Sequence, residues 1–494
     1  MSPFFENIAA LFELPILIPW ILAMTFGIFV GSTPGLTATM AVALIIPFSF
    51  QLEKEAALAM VIGVSFTAIF AGDIPATFLR IPGTPASAAA TLDAHRLALE
   101  GKGKQTLLIN LLCSTLGGIL GVVILISLAP QLATFALKFG PFEYFWLCIT
   151  GLILGVTVSS GRRPFVGLLA AVLGFGFSLV GVDPLTNQSR FVFNMEELSE
   201  GLNFIPAMIG LFGMSEVFKS VLGDSVDSPK SPVPGPFRFR SSLSIILRHL
   251  PTVVQSAITG TAIGALPGAG ADIAAWGAYG VSEKTTVKPD PPFGSGNWKG
   301  VISPTSANNS AVAAAWIPAL VFGVPGDAVT AIVLGAFMVY DITPGPALFE
   351  SGNADFIFSI ALITQLFLIP AGILGILFFS QIAKLSRGII LTAVVMFSVV
   401  GAFAMNNSLT DVWVMFGFGI FGVILERQKV PLAPLILGMI LGPKIEEYLR
   451  TGLISYRGEF AAAFSSHISR AFVIVLTVIV VFPLLRVIKK KGFK

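Results

Sequence analysis

Apolar residues fill this chain in long blocks, and the polar positions fall between the blocks rather than alternating within them. Residues 106–128 carry no charge at all. At a rise of about 1.5 Å per residue, such a run crosses a hydrocarbon core of about 30 Å. The pattern predicts spans near 106–128, 141–160, 164–181 and 204–222, and again near 354–383, 388–405, 411–425, 430–447 and 470–488. Four further apolar stretches, 8–50, 56–92, 251–281 and 301–335, are interrupted by Pro and Gly. They read as broken helices or re-entrant hairpins. An outer-membrane barrel is excluded, because its strands would show as alternating segments of about 10 residues. The predicted fold is an all-α polytopic membrane protein with about 11–13 membrane segments.

The interruptions come in matched pairs. Residues 27–35 read GIFVGSTPG and residues 260–268 read GTAIGALPG, so Gly27, Gly31, Pro34 and Gly35 align with Gly260, Gly264, Pro267 and Gly268. Ile74-Pro75-Ala76 leads to Pro82-Gly83 at the same spacing as Ile317-Pro318-Ala319 leads to Pro325-Gly326. Pro206 and Gly210 also match Pro434 and Gly438. This predicts two repeats, 1–222 and 251–447, joined by a Pro-, Ser- and Arg-rich cytoplasmic linker, 223–250. A loop and one more membrane helix make up 448–494. Broken membrane segments in corresponding halves point to the substrate site of a secondary transporter.

Composition agrees with the pattern. The chain is 55% hydrophobic and 12% charged, where a soluble domain carries about 25% charged residues. Cys113 and Cys148 sit in apolar spans and suggest neither a disulfide nor a metal site. Charge placement gives an orientation. Lys and Arg collect in the loops around 96–104, 162–163, 230–248, 384–387 and 427–429 and in the tail from 486, whereas 183–203 is acidic. The positive-inside rule puts the basic loops and the C-terminus in the cytoplasm and the N-terminus in the periplasm. The loop after the first broken pair is basic, with Arg96, Lys102 and Lys104. Its counterpart carries Glu350 and Asp355, which favours inverted repeats.

Broken backbone survives at membrane depth only inside protein or beside water, because its freed amides and carbonyls need partners. The candidate substrate-contact residues are therefore Thr33, Pro34, Gly35, Arg80, Pro82, Gly83, Thr84, Pro267, Gly268, Pro325 and Gly326. A half-helix starting at Thr84 would offer its free N–H groups to an anion. The competing reading of Pro-Gly is a simple turn, which the matched spacing disfavours. Arg80 at membrane depth is either a carboxylate clamp or the partner of Asp73, on the same helical face if the helix continues. The ion-binding candidates are Thr37, Asp272, Asn308, Asn309 and Asp327. For the two acids the alternative is capping of half-helices, and for the two amides it is interhelical bonding. His95, His249 and His467 read as solvated loop residues.

Several long motifs carry a family resemblance: PGLTATMAVALIIPFSF (34–50), IPGTPASAAATLD (81–93), NNSAVAAAWIPALVFGVPGD (308–327), PGPALF (344–349) and LILGMILGP (435–443). Together they resemble the TctA family, the large membrane subunit of tripartite tricarboxylate transporters, over almost the whole chain. The resemblance implies a bacterial inner-membrane permease for carboxylates. It would work with a small membrane subunit and a periplasmic solute-binding protein, with no nucleic acid partner and no cofactor beyond possible coupling sodium ions. Import would be driven by a sodium or proton gradient, and the absence of a Walker-type loop agrees. Asp73 departs from the family pattern, where a small or hydroxyl residue is common. Arg80 stands where Asn is common, and Thr305 where Glu is common. A channel and an intramembrane enzyme are the rival readings. A channel would need a continuous polar pore, and for an enzyme no HExxH or GxSxG motif is present.

Overall fold

The computed structural model describes residues 3–33, 36–160, 163–183, 186, 188–222, 235–382 and 387–491. The first half contains α1 (Leu14–Gly31), α2 (Ala38–Ser49), α3 (Lys54–Ala71), α4 (Asp73–Leu79), α5 (Ala88–Leu97), α6 (Gly103–Ala136), α7 (Pro141–Ser159) and α8 (Pro164–Ser178). A last span runs from Phe204 to Val221, with a wider helical turn at Ile209–Met214. The second half contains α9 (Leu250–Gly264), α10 (Gly270–Thr285), α11 (Trp298–Phe322), α12 (Ala328–Val339), α13 (Asn353–Ile382), α14 (Arg387–Asn406), α15 (Leu409–Arg427) and α16 (Leu432–Ser455). Helix α17 (His467–Lys491) follows. Of the 223–250 linker, residues 223–234 lie outside the described residues, and Phe239–Arg248 forms a helix.

Among the described residues, six helical stretches are long and apolar enough to cross a membrane: Leu14–Gly31, Lys54–Leu79, Pro85–Ala136, Phe204–Val221, Asn353–Phe378 and Leu409–Arg427. Shorter apolar helices, α2, α8 and α12 among them, fill the space between. Large apolar side chains such as Phe165, Leu169 and Trp413 are exposed on the outside. In water such a surface would drive association, but against hydrocarbon tails it costs nothing. The chain is an all-α membrane protein.

The two halves pack alike. Helix α1 lies on α3 as α9 lies on α11, and α2 lies on α3 as α10 lies on α11. Each half then reaches across, with α6 on α11 and α13 on α3. Helix α16 packs on α7 and α8, and the 204–221 span packs on α14 and α15. The glycines of the repeat explain the close approach. A Cβ on Gly31 would stand 2.3 Å from Ala68 O, and one on Gly264 would stand 2.4 Å from Ala311 O. Any larger residue would push the helices apart.

The interruption after α3 falls just before Pro82-Gly83 and not at Pro75. Residues 73–79 continue the preceding span as α4, with Pro75 tolerated in its first turn. The chain leaves the helix at Arg80, in the left-handed region at φ 57° and ψ 23°. Gly323, at the equivalent position of the second half, has φ 66° and ψ 20°.

Candidate functional site

Each break puts a turn of backbone between two half-helices. In the first half, Gly83 N–H donates to Gly72 O at 3.1 Å, and a Cβ on Gly83 would stand 2.3 Å from Gly31 O. In the second, Gly268 N–H donates to Gly326 O at 2.8 Å, and a Cβ on Gly326 would fall 2.6 Å from Ala315 Cα. The two breaks of the second half are thus bonded directly to each other. Gly268 itself has φ 77°, which a side chain would strain.

The residue two beyond each second proline starts the next half-helix. Asp327 caps α12: its Oδ1 accepts from Thr330 N–H at 2.8 Å, while Thr330 Oγ1 accepts from Asp327 N–H at 2.9 Å. This is a reciprocal capping box. In the first half the same two positions hold Thr84 and Ser87, whose hydroxyls are 2.9 Å apart. A short 3-10 turn, Pro85–Ser87, then leads into α5. Thr37 caps α2 by accepting from Met40 N–H at 3.2 Å.

A cavity of about 490 Å³ is lined by residues from around all four breaks. Its walls include Thr37, Pro85, Gly268, Ala269, Gly270, Asp272, Asp327 and Ala328. The rest comes from the start of α16 and its approach, Val430–Leu437 in part, with Phe212 and Glu426. Asp272 is exposed on this wall, which it shares with Asp327, and Gly270 in the same helical turn lies against Asp327. It stands in the first turn of α10 and caps nothing, since Ala269 is the cap position and no side chain bonds there.

Several residues singled out from the sequence lie elsewhere. Pro34 and Gly35 fall outside the described residues. Thr33 is buried, with its hydroxyl donating to Phe29 O at 2.8 Å. Pro82, Gly83, Pro267, Pro325 and Gly326 shape the turns behind the cavity rather than its wall. Arg80 is exposed, and among the described residues no ion pair joins it to Asp73. The reason is the helix end: once the backbone turns left-handed at Arg80, the two side chains leave a common face. His95 is a helix residue rather than a solvated loop residue, with Nδ1 3.0 Å from Thr77 O.

Asn308 and Asn309 are fully buried in α11, away from the cavity wall. Asn309 donates to Gln365 Oε1 at 3.1 Å, and Thr305 donates to Asn110 Oδ1 at 3.3 Å. Both side-chain polar atoms of Asn308 lack a hydrogen-bond partner among the described residues, as do Asn309 Oδ1 and Ser306 Oγ. Asn110 and Gln365 carry no sequence signal of their own, because only the packing of α6 on α11 and of α13 on α6 brings them here. Among the described residues, no group of three or more His, Cys, Asp or Glu side chains is placed to hold a metal ion.

The comparison with known families decides the class. The tripartite tricarboxylate transporter TctA family matches residues 17–437. The chain belongs to the TctA family. It is 32% identical over 501 residues to an uncharacterised 52.8 kDa protein in the TAR-I ttuC' 3' region of Agrobacterium vitis, covering 100% of this chain and 99% of that protein. It is also 35% identical over 234 residues to an uncharacterised protein in the TAR-II ttuC' 3' region of the same organism, covering 47% of this chain and 96% of that one. No solved structure matches. As a TctA member the chain is a subunit of a tripartite transporter, a membrane protein that works with partner subunits.

Proposed function

We propose that the chain is the permease subunit of a binding-protein-dependent secondary transporter that imports carboxylates across the bacterial inner membrane. A small membrane subunit and a periplasmic solute-binding protein complete the system, and a sodium or proton gradient drives it. The observation that carries this reading is the cavity lined from around all four breaks. Half-helix starts at Pro85, Gly270 and Ala328 stand on or beside its wall, and the first-turn N–H groups of α10, which no side chain caps, suit substrate carboxylates. Asp272 and Asp327 on the same wall suit a cation that enters with the anion.

The two repeats, 1–222 and 251–447, are taken as inverted. Two contacts at the hairpin tips support that arrangement. The tip between α2 and α3 meets the far end of α12, where Tyr340 bonds Ser49 O. The tip between α10 and α11 meets α5, through Asp93. The basic loops at 96–104 and 235–248 gather with the second tip: Lys104 lies over the Phe237 ring and Gln105 donates to Ser241. By the positive-inside rule that end is cytoplasmic, with the N-terminus periplasmic and the C-terminus cytoplasmic. Alternating access then moves the broken helices as a body against the unbroken spans.

Uptake of labelled di- and tricarboxylates into proteoliposomes holding the complete transporter tests this reading. Carboxylate counterflow is expected, since exchange requires alternating access. Leakage of the same solutes without counterflow would indicate a channel and overturn the proposal.

A further inference from the structure

Asp73 is fully buried where the span Lys54–Leu79 approaches the second break. Among the described residues neither of its carboxylate oxygens has a hydrogen-bond partner. Among the described residues no ion pair compensates it. Arg80, on the same span, is exposed beyond the helix end. On α5, His95 is engaged with Thr77 O, and Asp93 is engaged with Tyr279 and three backbone amides. Helix α6 contributes Cys113, sealed in a separate apolar cluster, and α13 contributes Leu368 and Ile376 to the cluster that holds Ile74. An ionised carboxylate in such surroundings pays desolvation with nothing to offset it, whereas the neutral acid does not.

Two hydroxyls connect this buried acid with the cavity. The Ser87 hydroxyl lies against Gly72, the residue before Asp73. It is also 2.9 Å from Thr84 Oγ1, and both residues are buried. A Cβ on Gly72 would stand 2.6 Å from each of these oxygens, so the pair lies directly against the backbone beside Asp73. Thr84 is followed by Pro85, which lines the cavity.

We propose that Asp73 is a proton-binding site, loaded and emptied from the central cavity past the Thr84–Ser87 hydroxyl pair, and that it carries the coupling proton of import. The coupling role rests on the permease reading above, while the proton site stands on the buried geometry alone. In loading, a hydronium ion at the cavity gives its proton to a carboxylate oxygen and leaves as water. Release is the reverse, and no electron moves. The ionised form is tolerated only when the break opens and water reaches the acid. Protonation and rearrangement of the break are thereby linked, as differential stability of two states requires.

Infrared difference spectra of the purified chain, with isotope-labelled aspartate, test the site directly. The carbonyl band of a protonated carboxylic acid is expected at neutral pH and is expected to weaken in Asp73→Asn. Asp73→Ser provides a second variant if the first fails to fold. An unchanged band in a folded variant overturns the site. Proteoliposomes of the complete transporter test the coupling. Wild type is expected to accumulate carboxylate under an inward proton gradient without sodium, and Asp73→Asn is expected to lose that accumulation. Uptake that follows a sodium gradient and ignores pH overturns the coupling role. Absence of carboxylate movement under any gradient, with the band present, would instead sink the permease reading and leave the proton site standing.

Discussion

The Asp93 carboxylate accepts a hydrogen bond from the Tyr279 hydroxyl at 3.0 Å, which ties the half-helix after one break to the hairpin of the other half. The same carboxylate accepts from Gly294, Gly296 and Asn297 N–H at 3.0, 2.8 and 2.7 Å. One buried acid thus holds both a helix and the loop that closes α10 onto α11. The other half has a simpler version of this clasp, with Tyr340 donating to Ser49 O. If broken helices move during transport, these clasps decide which segments move together.

Replacing Asp93 removes the charge from four hydrogen bonds at once. Each bond to a charged group is worth about 1.5–3 kcal/mol, and an Asn turns one acceptor into a donor aimed at backbone amides. Asp93→Asn is therefore expected to lower the melting temperature of the detergent-solubilised chain clearly more than Tyr279→Phe, which removes a single bond. Equal melting temperatures for the two variants would mean that the loop amides contribute nothing.

Gly83 and Gly326 leave no room for a methyl group, as the contacts at 2.3 Å from Gly31 O and 2.6 Å from Ala315 Cα show. Both neighbours are backbone and cannot rotate away. Overpacking of this kind costs about 1–3 kcal/mol, and here the backbone that must shift is the break itself. Gly83→Ala and Gly326→Ala are expected to reduce uptake by about tenfold or more, since 1.4 kcal/mol is a factor of ten. Gly417→Ala serves as the control, because nothing lies within 4 Å of a Cβ there. Comparable uptake in all three would remove the breaks from the mechanism.

The sequence shows the positions of the breaks because Pro and Gly act locally, and the repeat because its glycines obey the same packing rule in both halves. Side-chain partners are a different matter. Asp73 and Arg80 read as a helical pair only while the helix is assumed to continue, and the left-handed turn at Arg80 ends it. Asp272 and Asp327 look alike in sequence, each a few residues past a Pro-Gly. Only Asp327 falls at the cap position, because α10 begins two residues before Asp272. The grip of Asp93 on Gly296 and the meeting of Asn110 with Thr305 join residues about two hundred positions apart. No local period or spacing encodes such pairings.

Arg80 adopts a backbone conformation that costs a side-chain-bearing residue about 1–2 kcal/mol, and Asn tolerates it better. Gly323 occupies the equivalent position without that cost. Arg80→Gly is expected to raise the melting temperature, and Arg80→Asn to do so less. Arg80→Lys keeps charge and strain but loses the planar fork. Impaired uptake in the Lys variant at unchanged stability would identify the guanidinium as a carboxylate contact. Full uptake by both the Lys and Gly variants would exclude that role.

Outside the six stretches that can cross a membrane, Glu446 lies between Arg190 and Arg450, with Arg190 Nη2 2.8 Å and Arg450 Nη1 2.9 Å from its Oε1. Asp183 completes the group, 2.6 Å from Arg190 and 2.9 Å from Arg450. The hydrogen bond from Arg190 lowers the Glu446 carboxyl below its ordinary value of 4.5, and Arg450 adds to the effect. Because the folded state holds the proton more weakly than the unfolded one, Glu446 contributes stability above pH 4.5. That contribution fades as pH falls through the lowered value. The strands Gly181–Val182 and Ser189–Arg190 hang on this network, so they should open before the spans do. Hydrogen exchange of the Asp183 amide, which donates to Gln188 O at 2.9 Å, should accelerate on acidification relative to the amides of α16. In Glu446→Gln that exchange is expected to be faster at neutral pH and less sensitive to acid. An unchanged pH profile in the variant would show that Asp183 alone holds the two arginines.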